Sequence, residues 1–296
     1  MKSRFVLFLM GPTCVGKSSI SISLAEKFPL DIISVDSSMI YRYMNIGTDK
    51  PNGYVLKKIN HHLIDIIDPS EKYSIGNFCF DSYKIMNNSI LNNRIPCFVG
   101  GTMMYFWRIQ NGLFFLSKIN SFLNSNKKLS DHFIYNNNSL FFLDEYFSTL
   151  FKYSKINYYD NNIDNYFLLN SNYFNLFNCK LLNVIIYPDD KFSVYKLIAN
   201  RIDKMFDCGF IDEVLFLYKR GDLNLKMQSI KSIGYKQIWL YLDGKISFFE
   251  AKNDIIKITK FLFKKQLTWL KRWNSNAYYL NMNSKNIVDN IISLLI

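Results

Sequence analysis

Proline, glycine and acid are all scarce in this chain. Proline occurs 6 times and glycine 12 times in 296 residues. Neither occurs from Leu113 to Tyr187. That stretch must turn on Asn, in which it is rich, and it reads as short helices packing aromatics. The 5 cysteines, Cys14, Cys79, Cys97, Cys179 and Cys208, form no C-x-x-C pair. An odd, scattered set excludes a disulfide scaffold and fits a reducing cytoplasm. The 3 histidines include the adjacent pair His61-His62, with His132 far off. No third ligand stands at zinc-like spacing, so packing or loop anchoring is their expected role. No apolar run approaches the length needed to span a bilayer, and no membrane partner is expected. Acids number 24 against 36 Lys and Arg, a formal charge of +12. Such an excess favours a polyanionic partner. An AT-rich coding sequence would enrich the same Lys, Asn, Ile and Phe, so charge alone does not choose.

What is present organises around Gly11-Pro12-Thr13-Cys14-Val15-Gly16-Lys17-Ser18. An apolar run, Phe5–Met10, precedes it and reads as a strand rather than a signal peptide. Ile20, Leu24, Ala25 and Phe28 follow at helical spacing. Strand, G-x-x-x-x-G-K-[ST] and helix make a P-loop. Backbone N–H groups of such a loop converge on phosphate oxygens, and the helix adds its positive end. Lys17 supplies a point charge and Ser18 a hydroxyl suited to Mg²⁺.

Two further short strands, Asp31–Val35 and Pro96–Val99, also end in chemical residues: Asp36-Ser37 and Gly100-Gly101-Thr102. Ligands of parallel sheets sit at the carboxyl ends of strands, so one shared site is expected. Asp36 could bind Mg²⁺ or act as a general base; spacing does not separate these. The Gly-Gly pair implies close backbone approach to a ligand, or else a plain tight turn. A strand returns at Val184–Tyr187. Helical faces follow at Ile198, Ile202, Met205, Phe206 and at Ile211, Val214, Leu215, Tyr218, broken by Gly209. A long helix is expected from about Asp254 to Trp273. Lys257, Lys260, Lys264 and Lys271 share one of its faces, beside Lys265 and Arg272, with almost no acid among them. Nucleic-acid phosphates suit that face. Residues 286–296 read as a short apolar helix or strand.

Together GPTCVGKSS (Gly11–Ser19), ISVDSSMIYRYMNIGTDKP (Ile33–Pro51), HHLIDIIDPSEKYS (His61–Ser74), IPCFVGGTMMYF (Ile95–Phe106), SIKSIGYKQ (Ser229–Gln237) and TKFLFKKQLTWLKRW (Thr259–Trp273) resemble the bacterial tRNA dimethylallyltransferases. The resemblance implies an α/β fold, a P-loop NTPase-like parallel sheet flanked by helices, with an inserted helical domain. It divides the chain into a core at 1–113, a tRNA-gripping insertion at 114–182 and a second core part at 183–296. It implies transfer of dimethylallyl from dimethylallyl diphosphate to N6 of the adenine 3′ of the anticodon, with Mg²⁺, by a cytoplasmic monomer. Diphosphate binding falls to Gly11 through Ser18 and to Lys231, and metal binding to Ser18. Asp36 takes the N6 proton and Thr102 contacts the nucleotide. The tRNA contacts implied are Asp36, Ser37, Ser38, Met39, Thr102, Lys231, Gly234, Tyr235, Lys236, Lys260, Lys264, Lys265, Gln266 and Trp269. Lys231, Lys260 and Lys265 stand where the family favours Arg, and the family's D-x-x-R segment is not recognisable around Asp160–Leu169. A P-loop small-molecule kinase would need an Arg-rich lid and an acid after the third strand, where this chain has Gly-Gly-Thr. A non-catalytic RNA-binding relative has no need of an intact P-loop and Asp36.

Overall fold

A computed structural model describes residues 4–111, 179–273 and 276–296. The expected insertion, with His132 and Asp160–Leu169, lies almost wholly outside these residues. Six strands form one sheet: β1 (Arg4–Met10), β2 (Leu30–Val35), β3 (His61–His62), β4 (Ile95–Gly100), β5 (Cys179–Tyr187) and β6 (Tyr278–Asn281). Their order is β3-β2-β4-β1-β5-β6 and every pairing is parallel. Parallel strands are covered on both faces, which is why these read as unbroken apolar runs instead of alternating ones. The strand expected from Val184 begins earlier, at Cys179. The edge strand β6 has no counterpart in the sequence reading.

Successive side chains of β1 point to opposite faces and build two cores. Phe8 and Met10 join Ile33 and Phe98 on one face. Leu7 and Leu9 join Cys97 and Val184 on the other. Helix α1 (Lys17–Lys27) covers the second face with Ile20 and Leu24, together with α9 (Ile287–Leu295). The first face is covered by α3 (Ile75–Leu91), α4 (Met103–Asn111) and the helices after β5. Phe8 sits edge-on to Phe98 and Phe106, at 5.2 and 5.1 Å between centroids. Full burial of one such ring stabilises by about 1.5–3 kcal/mol. A short helix, α2 (Gly53–Lys58), precedes β3.

After β5 come α5 (Lys191–Asp207), α6 (Phe210–Lys219), α7 (Tyr235–Leu242) and α8 (Phe248–Leu270). Gly209, at φ 91°, does break α5 from α6. Helix α8 starts at Phe248 and not near Asp254, because Ser247 and Glu250 form a capping box. The Ser247 hydroxyl accepts from the Glu250 N–H at 3.2 Å, and the Glu250 carboxylate accepts from the Ser247 N–H at 2.8 Å. Its far end tightens into a 3₁₀ turn, Lys271–Trp273.

The strand register decides where chemistry can gather. Met10 of β1 and Val35 of β2 both pair with Gly100 of β4. The next residues, Gly11, Asp36 and Gly101, therefore leave the sheet at one level along one edge.

Candidate active site

At that edge lies a cleft of about 1240 Å³. Its floor is the P-loop. Cys14 (φ 64°) and Gly16 (φ 82°) are both left-handed, which turns the intervening amides toward one point. Gly11 is sealed beneath, where a Cβ would stand 2.6 Å from the Ile186 carbonyl. The Val15 side chain is buried in the second core. Pro12 has no N–H, and its carbonyl accepts from Lys17 Nζ at 2.6 Å. Thr13, Lys17 and Ser18 line the cleft. Burial strips water from the Lys17 ammonium and lowers its pKa from 10.5 to about 8. The charge of Arg201 adds to that fall, against the opposing pull of Cys14, Asp36 and Asp49.

The β2 end forms the next wall. Asp36 Oδ1 accepts from the Ser38 N–H at 2.8 Å and the Met39 N–H at 3.3 Å. Asp36 Oδ2 accepts no hydrogen bond among the described residues and is left for the cleft. Ser37, Ser38 and Met39 line the cleft beside it. The Ser38 and Ser232 hydroxyls lie 2.9 Å apart and tie this loop to the Ser229–Gln237 segment, so Lys231 also faces the cleft. Thr102 lines it from β4, held by its N–H to the Val35 carbonyl at 3.2 Å.

The Gly-Gly pair has a reason other than ligand approach. A Cβ on Gly100 would collide with the Val35 backbone, and one on Gly101 with the Gln266 side-chain amide. Close packing inside the protein requires these glycines.

Helices α5 and α8 close the other side. Lys265, Gln266 and Trp269 of α8 line the cleft. Lys260 and Lys264 lie away from it, with their ammonium groups 5.3 and 5.9 Å from the Tyr195 ring centroid. Lys236 is exposed outside the cleft lining. Three of the expected RNA contacts are buried. Tyr235 is 0% exposed and donates its hydroxyl to Glu213 at 2.6 Å. Gly234, at φ 93°, lies under the Phe210 ring. Gln266 is buried with both ends of its amide bonded within the protein.

Two charged residues that sequence reasoning missed complete the cleft. Arg201 of α5 lines it and reaches Asp49 Oδ2 at 3.3 Å from Nη1, while its buried Nε has no partner among the described residues. Glu213 of α6 accepts the N–H groups of Asn45, Ile46 and Gly47 at 2.8, 2.8 and 3.1 Å. That carboxylate pins the loop that carries Thr48 and Asp49 to the cleft. Helical periodicity says only that Arg201 and Glu213 are off the core face; nothing local marks them as site residues.

His61 and His62 form the edge strand β3, with His62 Nε2 3.9 Å from Asp31. Among the described residues no group of three or more His, Cys, Asp or Glu can hold a metal. No described helix is long and apolar enough to cross a membrane.

Comparison with known proteins places the chain in a family. The family model for IPP transferase matches residues 39–140 and 157–273. The chain belongs to the IPP transferase family. The isopentenyl transferase model also matches, over residues 5–70. A tRNA dimethylallyltransferase of Coxiella burnetii is 34% identical over 99% of this chain and 98% of its own length. That of Buchnera aphidicola subsp. Cinara cedri is 36% identical over 97% of this chain and 96% of its own. The crystal structure of a tRNA delta(2)-isopentenylpyrophosphate transferase from Staphylococcus epidermidis superposes with a TM-score of 0.73 at 27% identity, covering 99% of this chain and 98% of that one. The α/β fold expected from sequence is thus the family's fold, and the likeness extends along nearly the whole chain.

Proposed function

We propose that this IPP transferase moves a dimethylallyl group from dimethylallyl diphosphate to N6 of the adenine 3′ of the anticodon in tRNA. The observation that carries this reading is the shared cleft lined by the P-loop after β1 and by Asp36 after β2, whose Oδ2 accepts no hydrogen bond among the described residues. A phosphoryl-transferring kinase would need a metal-binding acid at the end of β4, where this chain has Gly100-Gly101-Thr102.

The chemistry follows from these groups. Adenine N6 is a weak nucleophile because its lone pair is delocalised into the ring. The allylic carbon becomes a good electrophile as diphosphate leaves. The C–O bond breaks with its electron pair going to diphosphate, the N6–C bond forms, and Asp36 Oδ2 takes the N6 proton. P-loop amides, Lys17, Lys231 and Arg201 face the charge that grows on the leaving group. Thr102 and the Ser37–Met39 turn contact the nucleotide. The target base cannot enter while stacked, and an anticodon loop makes its extrusion easy. Lys265 and Trp269 stand at the rim for the flanking RNA, and Lys236, Lys260 and Lys264 outside it for phosphates.

The residues present fit a Mg²⁺ bound together with substrate. Ser18 is exposed at the first turn of α1, and its hydroxyl makes no hydrogen bond among the described residues. Mg²⁺ commonly takes few protein ligands and completes its shell with phosphate oxygens and water. Bound there, it would neutralise part of the diphosphate charge. The reading is of a monomer working in the cytoplasm.

The direct test incubates the protein with Mg²⁺, dimethylallyl diphosphate and an anticodon stem-loop carrying adenosines after the anticodon. Digested RNA should contain prenyl-adenosine by mass. Its absence overturns the reading, and phosphoryl transfer in a parallel incubation with ATP would favour a kinase.

Lys17 adds a pH signature. Its pKa in the free protein, about 8, lies below the ordinary 10.5. Above that value the free amine is neutral, and bound diphosphate recharges it. Donor affinity should therefore fall by up to ~10-fold per pH unit above this point, with proton uptake on binding. Calorimetry of dimethylallyl diphosphate in two buffers of different ionisation enthalpy measures that uptake. Uptake equally small below and above the Lys17 pKa would show that Lys17 does not meet the anion. The same shift bears on stability with a definite sign. The unfolded chain binds the proton up to 10.5 and the folded chain only up to about 8, so this penalty is relieved as pH rises through that window.

A further inference from the structure

Gln266 is 7% exposed on α8, yet it touches two loops far from it in sequence. Its Oε1 accepts from the Thr13 N–H of the P-loop at 2.9 Å. Its Nε2 donates to the Gly101 carbonyl, one residue before Thr102, at 2.9 Å. The fit is tight: a Cβ on Gly101 would collide with that Nε2. Only an amide can serve both partners, because a carboxylate has no donor and an ammonium no acceptor.

We propose that Gln266 is a positioning residue that fixes the diphosphate loop against the nucleotide loop. It acts through Thr13 and Gly101 and does not contact RNA. The inference rests on the prenyl-transfer reading for its effect on rate, though not for its effect on structure. The reacting carbon is held through the P-loop and the reacting nitrogen beside Thr102 and Asp36. One amide sets the separation of the two loops, and misplacement by about 1 Å can cost 10²-fold in rate. It also joins both loops to α8, the helix that carries Lys257, Lys260, Lys264 and Lys265.

The test uses Gln266→Leu and Gln266→Asn in the full chain. Asn keeps the amide on an arm one methylene shorter, which cannot span both loops, and it disturbs packing less. Three quantities are read: hydrogen exchange at the Thr13 amide, stem-loop RNA affinity, and single-turnover prenyl transfer with both substrates saturating. The expected result is faster Thr13 exchange, RNA affinity within about threefold of the parent, and transfer slowed roughly 10²-fold. RNA affinity falling in step with rate would make Gln266 an RNA contact and overturn the inference, as would transfer at the parental rate. Unchanged Thr13 exchange in both variants also overturns it. If the parent chain itself makes no prenyl-adenosine, the functional reading fails, while Thr13 exchange still decides whether Gln266 holds the P-loop.

Discussion

Asp36→Asn should slow prenyl transfer by roughly 10²–10⁴-fold, the usual contribution of a positioned general base. The substitution isolates basicity. Asp36 Oδ1 holds its own turn through the N–H groups of Ser38 and Met39. An asparagine carbonyl can keep both bonds, so the β2 loop and the cleft wall stay in place. What changes is the oxygen facing the cleft, which becomes an amide that cannot accept the N6 proton. RNA and donor affinities should stay near normal. Single-turnover transfer at saturating donor, across a range of Mg²⁺ concentrations, checks this. Rescue by extra Mg²⁺ would move Asp36 to the metal. An unchanged rate would remove it from the reacting centre.

Arg201→Ala should lower kcat/KM for dimethylallyl diphosphate by roughly 10²–10³-fold, the scale seen when a donor to developing negative charge is lost. Arg201 is the planar fork at this cleft, whereas Lys17 and Lys231 are point charges. Among the described residues its Nε is buried and unpartnered, and its ion pair there is the 3.3 Å contact to Asp49. A guanidinium so held is ready for an anion. Removing it also leaves Asp49 without its partner beside the phosphate loop, which repels the donor further. Arg201→Lys should restore charge but not the fork, and so recover only part of the loss. The check is steady-state kinetics with the donor varied and RNA affinity measured alongside. Wild-type kcat/KM in Arg201→Ala would show that the leaving group departs elsewhere. An equal loss of RNA affinity would reassign Arg201 to the tRNA.

The chemistry at the strand ends was legible because its signals are local. An apolar run long enough for a buried strand stops at GPTCVGKS, at Asp36-Ser37 and at Gly100-Gly101-Thr102. Parallel pairing then puts strand ends at a common edge, as the shared partner of Met10 and Val35 shows. The capping box of α8 was equally local, a Ser247-x-x-Glu250 signature in plain view, and it was missed. Other features depended on which elements become neighbours. Gln266 meets residues 253 and 165 positions away. Glu213 closes a loop more than 160 positions earlier, its bond to Gly47 spanning 166. Periodicity assigns a residue to a helix face but does not say what that face will meet. For the same reason Tyr235 and Gln266, in motifs that implied RNA contact, turn inward: Tyr235 meets Glu213 of α6, and Gln266 meets the P-loop and the Gly101 turn. By itself the sequence determined the loops and the type of chemistry. The tertiary structure alone decided which distant side chains hold those loops at working distance, because chain closure is set by packing of the whole sheet and not by any local pattern.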